Sequence, residues 1–286
     1  MSIKIGFADF WDGFQHNNNF FLDLFTEMYD DVQHVPAQQA NIVIYSCFGQ
    51  THHQIDRSSC TKIFYTGENI RPNYSECDYS FSFDFDEYDG KNIRIPLWML
   101  QIDWFNKITY KNPNYVLPFG DINDNSYIKT PKSKFCAAIF NNPEKQRVEA
   151  YQKLNNYKKV DGYGKPFSNW FYGEEVKYRI LAHYKFSLCF ENSSYPGYYT
   201  EKLFHAKTAG TVPIYWSDKQ VDRDFNPKSY IHLADFNSID DLVKHIDEVD
   251  NNDDLYNQYH QQPLFTTMPS LDSIKDKIRN LLRGKI

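Results

Sequence analysis

The sequence predicts an α/β fold in two successive units. Short apolar runs alternate with amphipathic helical stretches on either side of a segment without sustained period, and several runs end in polar, chemically able residues. A hydrophobic content of 41% in 286 residues is enough to fill the cores of one large domain or two of ordinary size.

SIKIGFADF reads as a first strand, followed by a helix with Phe20, Phe21, Leu24, Phe25 and Met28 at helical spacing. ANIVIYSCF (40–48) and KIFYTGEN (62–69) read as further strands with polar tips. SFDFDEYDGKN reads as a solvated acidic loop leading to RIPLWML, and an Asn-, Pro- and Lys-rich stretch from about Tyr110 to Lys134 sets the domain boundary. The first domain is therefore expected over 1–130. The second, 131–265, begins at KFCAAIF and continues with a helix near Glu144 to Leu154 and a strand ending in VDGYG. A helix over Glu174 to His183, the strand KFSLCF, a helix over Glu201 to Ala209 and the strand TVPIYW follow. Such alternation builds a parallel sheet with crossover helices, and ligands gather beyond the carboxyl ends of its strands. Ser238 to Val249 reads as a capped amphipathic helix, with Ile239, Leu242, Val243 and Ile246 on one face. The tail, 266–286, is another, with Ile274, Ile278, Leu281 and Leu282 opposite five basic residues. Its basic face suits an anionic membrane surface, although packing across the domain boundary is the preferred reading.

The net charge of −6 and a pI near 5.8 argue against a nucleic-acid partner. Five cysteines, odd in number and without CxxC spacing, favour a reducing cytoplasm. MSIKIGFADFW lacks the apolar segment of a signal peptide, and no run approaches membrane-spanning length, so a cytoplasmic protein is expected. Aromatic residues, 17% of the chain, suit polar ligands with one apolar face, such as sugars or bases.

The chemistry concentrates in FENSSYPGYYTEK, 190–202. Thr200 is placed to cap the helix that starts TEKLF, whose free amides would face the strand tip, and Lys202 adds a full positive charge. Phosphate is the natural guest of such a site. Glu201 beside it could accept both hydroxyl protons of a ribose, and Tyr195, Tyr198 and Tyr199 offer faces to a base or sugar. The plain alternative is that Glu201 and Lys202 are ordinary first-turn helix residues and the tyrosines pack. In KIFYTGENIRPNY, Glu68 follows a strand and a glycine, where a carboxylate can serve as general base; the plain alternative is a surface turn residue.

YTGENIRPN, FENSSYPGYYTEK, VPIYWS and DFNPKSYIHLADF together resemble the bacterial α-1,3/4-fucosyltransferases of glycosyltransferase family 10, from the first strand to about Phe265. The resemblance implies the GT-B fold: two Rossmann-like domains with an interdomain cleft, the first for acceptor and the second for GDP-fucose. It implies inverting transfer to a hydroxyl of the GlcNAc in a β-galactosyl-GlcNAc acceptor, α-1,3 rather than α-1,4, on a lipopolysaccharide or capsule glycan. Glu68 then matches the general base. Arg147 matches an arginine on the GDP phosphates, with a surface helix charge as its plain alternative. Asn192, Tyr198, Glu201 and Lys202 match donor contacts, with Glu201 on ribose and Lys202 on phosphate. Glu191 adjoins the site, where a structural hydrogen bond at the strand end is the preferred reading. Gly162 and Gly164 of DGYG form a glycine turn facing the donor cleft, a weak signal alone. SSYPGY departs from the family pattern in Pro196, and the family's C-terminal heptad repeats are absent.

No cofactor is required and no metal site is expected. DFDEYD and DEVDNNDD read as solvated acidic loops rather than DxD metal motifs, and His52-His53 lacks a Cys or His partner at metal spacing. Two rivals share the fold: a non-catalytic sugar- or nucleotide-binding protein, and a transferase using another nucleotide-sugar.

Overall fold

A computed structural model describes residues 2–107, 116–122, 131–167, 169 and 174–284. The chain divides into two compact units, Met1–Val116 with Pro269–Ile286, and Leu117–Met268. Much of the Asn-, Pro- and Lys-rich stretch expected to carry the boundary lies outside the described residues. No helix among the described residues is long and apolar enough to cross a membrane.

In the first unit, β1 (Ile3–Ala8), β2 (Val32–His34), β3 (Ile42–Tyr45), β4 (Thr61–Tyr65), β5 (Tyr79–Ser82) and β6 (Asn92–Arg94) form a parallel sheet of order β2-β1-β3-β4-β5-β6. The Val- and Ile-rich run of β3 is buried throughout, as a strand covered on both faces must be. Helix α1 (Phe20–Met28) buries Phe20, Phe21, Leu24 and Phe25, and Asn19 caps it by accepting the Leu22 amide at 2.9 Å. β2 and β5 lie where the sequence pattern shows no strand, because each is short and gains its pairing from a neighbour distant in the chain. DFDEYD is not simply a solvated loop: Asp84 is buried, 3.3 Å from Arg71, and accepts the Tyr88 hydroxyl.

The second unit contains β7 (Lys134–Ile139), α2 (Lys145–Tyr157), β8 (Val160–Tyr163), α3 (Glu174–Leu181), β9 (Tyr184–Leu188), α4 (Glu201–Thr208), β10 (Val212–Tyr215), β11 (Ile231–His232), α5 (Ile239–Asp250) and α6 (Asp253–His260). Its parallel sheet has the order β8-β7-β9-β10-β11, which reverses direction between β7 and β9. Ser238 caps α5 as the sequence predicts, accepting the Asp241 amide at 3.1 Å. Leu242, Ile246 and Val249 of α5 pack with Ala150 and Leu154 of α2 on Phe135, Phe186 and Val212. Each such buried side chain contributes roughly 1.5–3 kcal/mol. DEVDNNDD is helical at both ends, and Asp250, its side chain buried, binds Lys158 at 2.6 Å and Lys185 at 2.9 Å. The reading of that run as a solvated loop is therefore corrected: two lysines from elsewhere in the unit compensate the buried charge.

The tail helix, α7 (Asp272–Leu282), is part of the first unit, where it packs near β6 and buries Ile274, Ile278 and Leu282. Lys275 and Lys277 of its basic face pair with Glu27 at 3.5 Å and Glu87 at 2.7 Å.

Candidate functional site

Strand order locates the second unit's site. Where a parallel sheet reverses its winding, the loops leaving the two central strands diverge and open a crevice at their carboxyl ends. Here those strands are β7 and β9. The chain leaving β9 reaches Glu191, which is fully buried. Its Oε1 accepts from the Thr200 amide at 2.8 Å, the Thr200 hydroxyl at 3.0 Å and the Tyr215 hydroxyl at 2.8 Å. Its Oε2 lies 2.8 Å from the Thr200 hydroxyl and 3.2 Å from Lys202 Nζ. A carboxylate in this setting would cost several kcal/mol without such donors. With them it pins the strand exit to the start of α4, and none of its contacts leaves it placed as an acid or base toward solvent.

The return from β9 to α4 is a turn over Tyr195–Tyr198, closed by the Tyr198 amide on the Tyr195 carbonyl at 3.0 Å. Pro196 supplies the fixed φ of the second position, and Gly197 the positive φ, +88°, of the third, as a type II turn demands. Thr200 does stand at the N-cap of α4, but its side chain caps nothing: the hydroxyl goes to Glu191 and accepts from Lys202 Nζ at 2.9 Å. The expected cap is thereby corrected. Without a side-chain cap the first-turn amides keep their capacity to bind an anion.

Arg147 is not a surface helix charge. It is only 3% exposed; Nε and Nη2 donate to the Phe190 carbonyl at 3.1 and 2.6 Å, and Nη1 to the Asn142 carbonyl at 3.2 Å. Phe190 follows β9 and Asn142 follows β7, so one guanidinium spans the switch point. Burial lowers its pKa, opposed by the negative charges of Glu191, Glu201 and Glu144. For Lys202, burial is outweighed by Glu191 and Glu201, which hold its pKa above the ordinary lysine value. Glu201 Oε1 stands 3.6 Å from Lys202 and 3.7 Å from Lys177, which is itself 3.0 Å from His205 Nδ1. Lys177 went unnoticed in the sequence, where one lysine on a mid-chain helix carries no signal; α3 brings it to α4 through the fold.

Asn192 is half-buried beside Glu191. Tyr198 and Tyr199 are buried, so of the three tyrosines only Tyr195 shows its ring to solvent. Gly162 and Gly164 have local reasons to be glycine. A side chain at Gly162 would meet the Phe167 ring at 2.3 Å; Gly164 has φ +111°, and a Cβ there would lie 2.2 Å from the Phe140 carbonyl oxygen. The second unit thus gathers Arg147, Glu191, Tyr198, Glu201 and Lys202, with Lys177, around one helix start.

In the first unit, Glu68 lies past β4, half-buried, on a loop locked by Thr66. The Thr66 hydroxyl accepts from the Glu68 amide at 2.9 Å and donates to its carbonyl at 3.0 Å. β1, β3 and β4 are neighbours, so loops carrying Trp11, Phe48 and Glu68 leave the same edge of the sheet. Trp11 and Phe48 have ring centroids 6.2 Å apart, and Phe48 is exposed. Aromatic rings and a held carboxylate leaving one sheet edge are residue types that suit a sugar bearing an ionisable hydroxyl.

Residues 129–278 match the family profile described as glycosyltransferase family 10 (fucosyltransferase) C-term, and residues 5–101 match the alpha-(1,3)-fucosyltransferase FucT N-terminal domain. The chain belongs to glycosyltransferase family 10. This family 10 chain is 27% identical to alpha-(1,3)-fucosyltransferase FucT of Helicobacter pylori, over 92% of its own length and 61% of that protein's. It is 35% identical to putative fucosyltransferase R654 of Acanthamoeba polyphaga mimivirus, over 55% of this chain and 28% of that one. It is 33% identical to 4-galactosyl-N-acetylglucosaminide 3-alpha-L-fucosyltransferase 9 of Mus musculus, over 53% of this chain and 45% of that one. The family 10 chain thus spans at most 61% of the length of these relatives. A crystal structure of an alpha1,3-fucosyltransferase with GDP-fucose superposes with a TM-score of 0.76 at 24% identity, covering 100% of this chain and 91% of that one. The fold is GT-B, built of two Rossmann-like units.

Proposed function

We propose that the chain is an inverting α-1,3-fucosyltransferase, moving L-fucose from GDP-β-L-fucose to a GlcNAc hydroxyl of an N-acetyllactosamine-type acceptor. The observation that carries this reading is the gathering of Arg147, Lys202 and an uncapped helix start at the second unit's switch point, within the stretch matching family 10. The solved relative named with GDP-fucose supports the donor, and the relative named as a 4-galactosyl-N-acetylglucosaminide 3-alpha-L-fucosyltransferase supports acceptor and linkage.

Arg147, Lys202 and the α4 amides hold the diphosphate and stabilise the charge that grows on GDP as it departs. GDP leaves without a general acid, so one base is enough. Glu68 accepts the proton of the acceptor hydroxyl as that oxygen attacks fucose C1 from the face opposite GDP: the C1–O bond to the acceptor forms, the C1–O bond to phosphate breaks, and β becomes α. Glu201 receives the ribose hydroxyls. Glu191, committed to Thr200 and Tyr215, positions α4 rather than reacting, which leaves the second unit without the carboxylate pair of a glycosidase among its named site residues. Positive side chains do the electrostatic work, and turnover needs no metal.

The test is a panel of nucleotide-sugars and acceptors with mass-spectrometric product detection, repeated in EDTA. A fucose increment on β-galactosyl-GlcNAc, in the 3-linkage and undiminished by EDTA, is expected. GDP binding without transfer to any acceptor would make the chain a binding protein, and transfer from another nucleotide-sugar would reassign the donor.

A further inference from the structure

A second polar cluster lies in the first unit, on residues that the proposed transfer does not use. Asp9, just past β1, accepts from the Thr51 amide at 2.8 Å and the His52 amide at 2.9 Å, and its Oδ2 accepts from His52 Nδ1 at 2.6 Å. The His52 ring stacks on Tyr45 with centroids 4.1 Å apart and planes within 14°, and the His52 carbonyl accepts from Lys62 Nζ at 2.7 Å. These contacts leave the imidazole one orientation. Its Nε2 is buried and, among the described residues, has no hydrogen-bond partner. It faces Glu76 Oε2 at 3.5 Å, while Glu76 Oε1 is held by Asn73 Nδ2 at 2.9 Å.

With Nδ1–H donating to Asp9, the ring presents Nε2 to a carboxylate oxygen, which is also an acceptor. A positive centre belongs between them. Two ligand atoms each about 2.0–2.1 Å from a tetrahedral ion stand roughly 3.3–3.4 Å apart, close to the spacing seen. His53, exposed and with its ring centroid 4.0 Å from that of His52, completes a group whose ligand atoms lie within 4.8 Å of one another. Two imidazoles and one carboxylate select a borderline transition ion over magnesium or calcium, which prefer all-oxygen shells. The carboxylate on the far nitrogen of His52 is the arrangement that orients a ligating imidazole and raises its basicity.

We infer that His52, His53 and Glu76 form a binding site for one zinc-class divalent cation, with Asp9 positioning His52. The ion joins the turn after β3 to the segment between β4 and β5 at Glu76, and its role is to stabilise that junction; Glu68, held separately by Thr66, keeps its place without the ion. The expectation that His52-His53 has no metal partner considered only Cys and His at nearby spacing; the third ligand is a glutamate that the β4–β5 connection brings across the sheet edge.

The test uses the whole chain, stripped with EDTA and dialysed, then titrated with Zn²⁺ by calorimetry and with Co²⁺ by absorption. Expected are one saturable site, a rise in melting temperature with Zn²⁺ but not Mg²⁺, and cobalt bands without a thiolate charge-transfer feature. Affinity should fall at least about tenfold in Glu76→Gln and in His53→Ala, both at partly or fully exposed positions. Three results would overturn the site: no one-to-one binding by the wild-type chain, unchanged affinity in both variants, or a thiolate band assigning the ion to cysteine.

Discussion

The Arg147 guanidinium donates two hydrogen bonds to the Phe190 carbonyl, at 3.1 and 2.6 Å, so the helix following β7 grips the exit of β9. This buried cation sits where the sheet reverses its winding, and its planar fork reaches two separate loops. Lysine has the charge but not the fork. Arg147→Lys is expected to lower kcat/KM for GDP-fucose about 100-fold, equivalent to about 2.7 kcal/mol, with a lower melting temperature. Steady-state kinetics with unchanged kcat/KM would remove Arg147 from the donor site.

Glu68→Gln keeps shape and hydrogen-bonding capacity but cannot accept a proton. Turnover should fall by roughly 10²–10⁴-fold, the usual share of a general base, while GDP binding by calorimetry stays as in the wild type. Near wild-type turnover would assign the base elsewhere.

Thr66→Val removes the hydroxyl that clamps both backbone groups of Glu68 while leaving the buried volume nearly unchanged. A loosened carboxylate costs positioning rather than chemistry. A roughly tenfold fall in kcat is expected, with no change in affinity for GDP; a loss of GDP affinity would show that Thr66 serves the donor instead.

Glu191→Gln replaces a buried acceptor-only group by an amide whose N–H atoms confront Lys202 or Thr200. Breaking this network should destabilise the chain by about 2–4 kcal/mol in urea unfolding and weaken donor binding through the start of α4. Stability within experimental error of the wild type would mean that Glu191 does not hold the two elements together.

Asp250 supplies a pH dependence. Burial would raise its pKa, but hydrogen bonds from Lys158 and Lys185 win and hold it below the ordinary aspartate value. A depressed folded-state pKa stabilises the fold above the unfolded value and loses that contribution as pH falls through the folded one. Wild-type stability should therefore decline as pH drops below about 4, and Asp250→Asn, less stable by about 1–3 kcal/mol at neutral pH, should show a shallower acid decline. Parallel acid limbs in the two proteins would exclude Asp250 from the effect.

Much of the architecture was legible because local pattern and tertiary fold agree. The apolar runs of β1, β3, β4, β7, β9 and β10 and the cap of α5 follow from period and side-chain chemistry. β2, β5, β11 and α6 were not legible, since short or polar segments acquire structure from partners far along the chain. The positions of Glu68, Glu201 and Lys202 at strand and helix ends could also be read, whereas the commitment of Thr200 to Glu191 could not.

The sequence by itself determined the α/β class, the family and the residue types at each strand exit, because these depend on periodicity and on motifs confined to a few neighbouring positions. Only the tertiary structure decided that Arg147 is buried on a strand-end carbonyl, that Lys177 joins Glu201, and that Glu76 faces the open nitrogen of His52. Those pairings span 43, 24 and 24 positions, and the physical reason is common to them. Hydrogen bonds and ion pairs act over a few ångströms, and parallel strands joined by helices bring such distances about between residues that share no local pattern.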